Sequence, residues 1–251
     1  MNILLRISYD GTAYCGWQRQ PNVATVQGEV EKTLAKIFHQ PIDTLGAGRT
    51  DSGVHALGQC ATFVVDKVLC PVEKLPLLLN ARLPKDIVIK DAIEVPHDFH
   101  PRYSAKRKTY EYKILNAEYR NPMLQNYTEY VRIPLDYARM KEAVSYFLGT
   151  HDFKAFSAVG GTVRTSIRTI FDCSLSKEIV RSDDMFTLRI TGDSFLYNMV
   201  RIIGGTLIDV GKGKKNPEQI KEIILSKDRK KASKTASAAG LTLIDIQYPI
   251  L

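Results

Sequence analysis

The sequence lacks the features that mark membrane, disulfide-rich or metal-binding proteins. No apolar run approaches the roughly 18 residues that a membrane-spanning helix needs, and the N-terminal residues show no signal-peptide layout. The four cysteines form no Cys-x-x-Cys pair and have no histidine at zinc-finger spacing. We therefore expect a cytoplasmic protein with free thiols, no membrane contact and no bound metal.

Motifs that cradle nucleotide phosphates are also missing. The sequence contains neither Gly-x-Gly-x-x-Gly nor Gly-Lys-Ser/Thr. Positive charge is present instead, since 35 Lys and Arg residues exceed 27 Asp and Glu residues and give a net charge of +8. This balance favours a polyanionic partner such as a nucleic acid. At 251 residues the chain can form one large domain or two small halves.

The order of the apolar patterns predicts an α+β fold. Residues 3–9 alternate apolar and polar side chains, which is typical of a half-buried strand. Thr25 is a plausible N-cap for an amphipathic helix that follows it. Near residue 100 the chain becomes basic and aromatic, and a second set of strands and helices begins. We therefore divide the chain into an N-terminal half, 1–103, and a C-terminal half, 104–251.

One turn-rich stretch, residues 46–59, concentrates reactive side chains. It contains four glycines together with Arg49, Asp51 and His55, and an apolar strand pattern follows it. Glycine lets a backbone take a positive φ or pass close to a ligand. An aspartate in such a turn often does no more than cap its own backbone. The density of reactive residue types here instead favours a catalytic role for Asp51.

The motif strings resemble one enzyme family. The string at residues 48–56, Gly-Arg-Thr-Asp-Ser-Gly-Val-His-Ala, closely resembles the catalytic motif of the TruA family of tRNA pseudouridine synthases. At Ser237 the chain departs from the family pattern, which has proline there. Further stretches resemble the family in the same order along the chain, at residues 9–12 and 14–20, 108–112, 151–153, 156–157 and 168–170, and 192–201.

The resemblance implies a fold and a reaction. The fold would be that of pseudouridine synthases, with two similar α/β halves that share a central, mostly antiparallel sheet and a catalytic cleft between them. The enzyme would be an isomerase that converts uridine to pseudouridine at positions 38, 39 and 40 of the tRNA anticodon stem-loop. It would act by base flipping, without a cofactor and as a homodimer.

The resemblance also implies site residues. Asp51 would be the nucleophile, and attack on C1′, attack on the uracil ring and a glycal route all stay open. Arg201 would keep this carboxylate ionised. Tyr110 would stack on the flipped base and take part in proton transfer. Arg49 would fill the gap that the base leaves. RNA phosphates would be contacted by a basic cluster made of Lys106, Arg107 and Lys108.

Each of these roles has a structural alternative. Arg49 would equally suit a salt bridge that anchors its loop, and Arg201 a solvated helix face. Tyr110 lies in an alternating pattern that is typical of core tyrosines. For two neighbours we favour the structural role: His55 as a donor that orients the loop, and Tyr112 as core packing.

Trp17 has two interpretations. As the only tryptophan, it either covers the edge of the core, which is the usual role of a large indole, or supports the loop that carries Asp51. The sequence pattern alone leaves both open.

Three other functions compete with the one that the resemblance implies. A paralogue of the same family would modify another RNA. A non-catalytic RNA-binding protein would keep the fold without the chemistry. A glycoside hydrolase would also break a bond at an anomeric carbon, but it usually needs two carboxylates about 5–9 Å apart. The motif around Asp51 offers only one carboxylate, next to Arg49.

Overall fold

The computed structural model describes residues 1–68, 70–160, 164–180 and 182–249. Within them the chain forms strands, α-helices and short 3-10 turns. The strands are β1 (Asn2–Tyr9), β2 (Thr44–Gly46), β3 (His55–Val64), β4 (Ile87–Val95), β5 (Arg107–Asn116), β6 (Glu129–Val131), β7 (Gly149–Asp152), β8 (Ile167–Val180), β9 (Asp183–Gly192) and β10 (Leu241–Gln247). The α-helices are α1 (Val26–Phe38), α2 (Leu75–Asn80), α3 (Tyr137–Val144), α4 (Met199–Gly211) and α5 (Gln219–Ser226).

The chain divides into two compact units. Unit 1 contains Met1–Lys106 together with the described residues from Thr242 onward, and unit 2 contains Arg107–Leu241. This grouping differs from the halves 1–103 and 104–251 at residues 104–106 and after residue 241. The second difference arises because β10 pairs with β3 of the N-terminal unit. As a statement about domains, the division into 1–103 and 104–251 stays a prediction.

Unit 1 is built on a sheet with the strand order β4-β1-β3-β10, in which β2 also pairs with β3. β1 runs antiparallel to both β3 and β4, whereas β10 is parallel to β3. Helix α1 starts as predicted, because the Thr25 hydroxyl accepts a hydrogen bond from the Gly28 amide at 3.2 Å. The residues between Val72 and Leu83, before Pro84, suggest one helix, but the structure has a 3-10 turn followed by the short α2.

Unit 2 is built on an antiparallel sheet with the order β5-β9-β8-β7, and the short β6 lies parallel to the end of β5. The sequence pattern predicts paired strands at 167–175 and 185–190, and the structure confirms them as the longer β8 and β9. The spacing of Met140, Val144, Phe147 and Leu148 predicts a helix that begins near Asp136 and closes at Gly149. In the structure Asp136 is the N-cap of α3. The helix ends at Val144, because a 3-10 turn follows it and Leu148 has an extended backbone.

Most strand pairs in both units are antiparallel and the helices lie between strands in the sequence, so the predicted α+β class is confirmed. Within the described part of the chain, every helix is too short or too polar to cross a bilayer.

Candidate active site

Asp51 lies on a loop that strand pairing holds at its base. β2 and β3, which flank the loop, pair antiparallel with Gly46 opposite Ala61. Just beyond β2, the Gln59 side-chain amide donates to the carbonyl of Gly48 at 2.9 Å. After Asp51 the chain turns, and the Val54 amide donates to the Asp51 carbonyl at 3.1 Å. The carboxylate residue is half-buried at this turn.

The two neighbours of Asp51 are bound to the segment that follows β1. The hydroxyl of Thr50 lies 2.7 Å from the phenol oxygen of Tyr9. The Thr50 carbonyl accepts from the Trp17 amide at 3.1 Å. On the other side, the Ser52 hydroxyl donates to the carbonyl of Tyr14 at 3.2 Å. Asp51 therefore sits between two residues whose positions depend on residues 9–17.

Two glycines allow this close approach. Gly16 has φ +85°, and a Cβ there would lie 2.5 Å from the Thr50 carbonyl oxygen. A Cβ on Gly46 would collide with the indole nitrogen of Trp17. Trp17 is 2% exposed and stacks on Tyr9 with 6.1 Å between ring centroids. The indole therefore does what both interpretations of the sequence required: it packs in the core, and it supports the loop.

A buried carboxylate that sequence reasoning missed ties the same segments together. Glu31 on α1 is 6% exposed. One of its oxygens accepts from Arg19 at 2.8 Å, and the other accepts from the Gln27 side chain at 3.0 Å and from the Thr44 amide at 2.9 Å. Glu31 therefore links the loop after β1, helix α1 and strand β2, which leads to Asp51.

His55 is buried and bound inside unit 1. Its Nδ1 atom lies 3.1 Å from the Gly11 amide nitrogen and 3.1 Å from an Asp10 carboxylate oxygen. A single ring nitrogen cannot accept the Gly11 proton and donate to Asp10 at once. Asp10 and Gly11 both belong to the turn after β1, so His55 contacts this turn whichever of the two its Nδ1 binds. The role of a loop-orienting donor stays a prediction.

In unit 2, Tyr110 stands on β5 opposite Ile190 of β9. It is half-buried, and its ring meets Phe195 edge to face with 5.1 Å between centroids. Phe195 belongs to the segment that leads from β9 into α4. One face of unit 2 therefore presents a tyrosine whose orientation is fixed by an aromatic neighbour.

Arg201 lies in the first turn of α4 and its guanidinium is oriented by hydrogen bonds. Its Nε donates to the carbonyl of Ala236 at 2.9 Å, and a terminal nitrogen donates to the side-chain oxygen of Asn198 at 2.7 Å. In return the Ala236 amide donates to the Arg201 carbonyl at 3.2 Å. Arg201 is half-buried, so it is not the freely solvated arginine of the structural alternative.

Tyr112 is fully buried in unit 2, as expected for a core tyrosine, but its hydroxyl is also bound. It donates to the Ser237 carbonyl at 2.8 Å and lies 3.3 Å from a carboxylate oxygen of Glu129. The same oxygen accepts from the Ser237 amide at 2.7 Å. Burial first, and the Glu129 charge second, raise the pKa of Tyr112, while Arg201 opposes the shift. The phenol therefore remains a donor.

The proposed RNA-contacting residues are on the surface or near it. Arg49, Lys106 and Arg107 are exposed, and Lys108 is half-buried. The Arg107 guanidinium lies 4.7 Å from the ring centroid of Phe171, the distance of a cation–π contact. The structure therefore places Asp51, Arg49 and Lys106 in unit 1 and the other predicted site residues in unit 2.

Across residues 1–68, 70–160, 164–180 and 182–249, no three His, Cys, Asp or Glu side chains are grouped so that they could hold a metal ion.

The sequence matches the family described as tRNA pseudouridine synthase over residues 6–104 and 143–249. The chain belongs to this family. The resemblance to the tRNA pseudouridine synthases is thereby confirmed for the chain, and the chain is an enzyme of the predicted isomerase class. Residues 108–112, which include Tyr110, lie outside the matched ranges.

Curated relatives are similar over nearly the whole chain. The tRNA pseudouridine synthase A of Caldicellulosiruptor saccharolyticus is 49% identical over 247 residues, which cover 98% of this chain and 99% of the relative. The protein of the same name from Acetivibrio thermocellus is 48% identical with the same coverage. Among solved structures, a chain of a Cbf5-Nop10-Gar1 complex aligns with 96% of this chain and 48% of its own length, at 12% identity and a TM-score of 0.39.

Proposed function

We propose that this tRNA pseudouridine synthase converts uridine to pseudouridine at positions 38, 39 and 40 of the tRNA anticodon stem-loop. The observation that carries the proposal is the fixed loop around Asp51, whose neighbours Thr50 and Ser52 are both hydrogen-bonded to residues 9–17. Enzymes named tRNA pseudouridine synthase A, up to 49% identical to this chain, support the choice of tRNA. Since its substrate is tRNA, we place the enzyme in the cytoplasm.

The reaction is an isomerisation within one nucleotide. The bond between C1′ and N1 breaks, the uracil turns, a bond from C1′ to C5 forms, and C5 loses a proton while N1 gains one. No electrons are exchanged with another molecule, and we therefore propose no cofactor. Asp51 supplies the nucleophilic carboxylate, whether it adds to the sugar, adds to the ring or assists a glycal route.

Arg201 and Tyr110 complete the proposed machinery. A guanidinium near an aspartate favours the charged carboxylate, and the guanidinium of Arg201 is held by Ala236 and Asn198. A half-buried tyrosine that is braced by Phe195 offers a ring on which the extruded uracil stacks. Its phenol is suited to move the proton from C5.

Binding of the tRNA uses positive charge. Extrusion of a stem nucleotide costs a few kcal/mol, and we propose that exposed Arg49 fills the gap in the stem. Lys106, Arg107 and Lys108 contact phosphates, so binding weakens as salt rises. We also propose that the enzyme acts as a homodimer, in which one tRNA contacts both subunits.

The test uses an unmodified tRNA transcript with uridines at positions 38, 39 and 40. Wild type and Asp51→Asn are incubated with it, and pseudouridine is mapped by a reagent that stops reverse transcription. We expect conversion at these positions by the wild type and none by Asp51→Asn, which still binds tRNA. Activity in the variant would remove Asp51 from the mechanism. Conversion elsewhere, or only in ribosomal RNA, would assign the enzyme to another RNA site.

A further inference from the structure

The orientation of Arg201 depends on a short stretch of main chain far away in sequence. The Ala236 carbonyl accepts from the Arg201 side chain, and the Ala236 amide donates to the Arg201 carbonyl. Both bonds hold only while Ala236 keeps its place. Groups that hold Ser237, the residue after Ala236, therefore also help to hold the guanidinium of Arg201 in place.

Two side chains hold Ser237. The Tyr112 hydroxyl donates to its carbonyl at 2.8 Å, and the Glu129 carboxylate accepts from its amide at 2.7 Å. The Tyr112 phenol oxygen also lies 3.3 Å from the Glu129 oxygen that binds the Ser237 amide, so all three groups are in contact, although the one phenol hydrogen is given to the shorter bond with the Ser237 carbonyl. Both polar groups of the Ser237 peptide backbone are thereby bound.

The Tyr112 ring also sets the distance to the helix that carries Arg201. A Cβ on Gly204, three residues after Arg201 in α4, would lie 2.9 Å from this ring. A Cβ on Gly240, just before β10, would also lie 2.9 Å from it. The ring thus packs closely against both the helix and the turn that follows Ser237, and it cannot shift without moving one of them.

We propose that Tyr112 and Glu129 are positioning residues that fix the guanidinium of Arg201 through Ala236 and Ser237. The proposal rests on the proposed role of Arg201 in catalysis. Tyr112 is 0% exposed and so cannot touch the RNA. Its effect on the reaction passes through the bonds of its hydroxyl, and the effect of Glu129 passes through the oxygen that binds Ser237 and Tyr112.

The serine at position 237 gives the Glu129 carboxylate an amide to bind. Its φ of −54° lies in the range that proline adopts, so the proline of the family pattern would fit the same backbone. Proline has no amide hydrogen, whereas Ser237 offers one that Glu129 accepts. In a chain with proline at position 237, the ring itself would restrict the backbone there. In this protein the hydrogen bond from the Ser237 amide to Glu129 restricts it instead.

The experiment compares kcat and KM on unmodified tRNA for Tyr112→Phe, Glu129→Ala and Glu129→Gln. A misplaced catalytic group lowers turnover by up to about 100-fold without weakening binding. We expect kcat to fall about 10- to 100-fold in Tyr112→Phe and Glu129→Ala, with KM within about twofold of wild type. Glu129→Gln keeps an oxygen that accepts from Ser237, and we expect it to restore most of kcat.

Tyr137→Phe is the matched control. The Tyr137 hydroxyl also donates to a main-chain carbonyl, that of Leu175 at 3.1 Å, but this bond has no link to Arg201. We expect its kcat to equal that of wild type. An equal loss of kcat in Tyr137→Phe and Tyr112→Phe would overturn the proposal, because it would show that any lost tyrosine bond in unit 2 has the same effect.

Arg201→Met separates this inference from the proposed function. If Arg201→Met loses activity while Tyr112→Phe and Glu129→Ala keep full kcat, the role of Arg201 stands and the positioning proposal is wrong. If Arg201→Met itself keeps full kcat, the proposed role of Arg201 fails first. Urea unfolding of each variant shows that the protein assayed is folded, and a kcat loss that only follows the unfolded fraction would also overturn the proposal.

Discussion

The phenol oxygen of Tyr9 lies 2.7 Å from the hydroxyl oxygen of Thr50, the residue before Asp51. Both residues are buried, and burial raises the pKa of Tyr9, so the phenol keeps its proton. This bond joins the end of β1 directly to the loop of the proposed nucleophile. The position of Asp51 therefore depends on a residue that contributes no chemistry of its own.

Tyr9→Phe is expected to lower both stability and turnover. Loss of one buried hydrogen bond costs about 1 kcal/mol in the free energy of unfolding. Since Thr50 also loses its anchor next to Asp51, we expect kcat to fall several-fold. Urea unfolding and turnover on tRNA measure the two effects.

Tyr248→Phe is the control for Tyr9→Phe. The Tyr248 hydroxyl is buried in the same unit and donates to the Pro101 carbonyl at 2.8 Å, a bond that does not involve the loop of Asp51. It should lose similar stability but keep its kcat. Equal kcat in both variants would show that the Tyr9 bond does not position the loop.

Gly16→Ala is expected to disturb the loop of Asp51 through the carbonyl of Thr50. The φ of +85° at Gly16 is strained for alanine, which costs about 1–2 kcal/mol. The new Cβ would also press on the Thr50 carbonyl, and kcat should fall more than stability alone explains. Gly213→Ala has the same backbone strain at φ +71° with nothing within 4 Å of the Cβ. Loss of kcat in Gly213→Ala as well would contradict the role given to this contact.

The sequence predicts best those features whose residues lie close together along the chain. The N-cap expected at Thr25 and the helix start expected near Asp136 are both found, because a cap and its helix are only a few residues apart. The loop of Asp51 lies directly before a strand for the same reason. The motif at residues 48–56, together with four further stretches in the same order along the chain, predicts the family that the match over residues 6–104 and 143–249 confirms.

Contacts between distant segments could not be predicted. Tyr9 and Thr50 are 41 residues apart, and Tyr112 and Ser237 are 125 residues apart. Their approach depends on which strands become neighbours, and periodicity within one strand contains no such information. Tyr112 was therefore interpreted as packing alone, although its hydroxyl also holds Ser237.

Glu31→Ala is expected to destabilise unit 1. The change leaves the Thr44 amide and the Gln27 side chain without the buried oxygen that they share. Hydrogen bonds to a charged group contribute about 1.5–3 kcal/mol each, and unpaired buried donors add to the cost. We therefore expect a loss of about 2–3 kcal/mol in urea unfolding, with reduced kcat.

Glu29→Ala is the matched change on the same helix. Glu29 pairs with Lys32 at 3.8 Å across a solvated face, and such surface pairs contribute about 0–1 kcal/mol. We expect its stability and kcat to stay close to wild type. If Glu31→Ala were no more destabilising than Glu29→Ala, the network that links α1 to the Asp51 loop would contribute nothing measurable.

Asp152 predicts a pH-dependent contribution to stability. The Ser166 hydroxyl, which bonds to its carboxylate at 2.5 Å, is the main cause that lowers the pKa of Asp152, and the Lys227 ammonium at 3.0 Å adds to it. A carboxyl whose pKa is lowered by folding stabilises the protein above its unfolded pKa of about 3.9, and this stabilisation is lost as pH falls through the lower folded value.

Asp152→Asn should therefore be less stable than wild type by an amount that depends on pH. The asparagine cannot ionise, so we expect the full difference in the free energy of unfolding at pH 7 and at pH 5. Below about pH 4 the carboxyl takes up a proton in the unfolded wild-type chain, and at lower pH in the folded protein, so the difference shrinks as the pH falls. Urea unfolding at a series of pH values measures it. A difference that stayed constant down to the lowest pH at which both proteins fold would mean that the charge of Asp152 is not what stabilises the fold. The hydrogen bond from Ser166 would then stabilise the fold to the same extent whether or not the side chain at position 152 is charged.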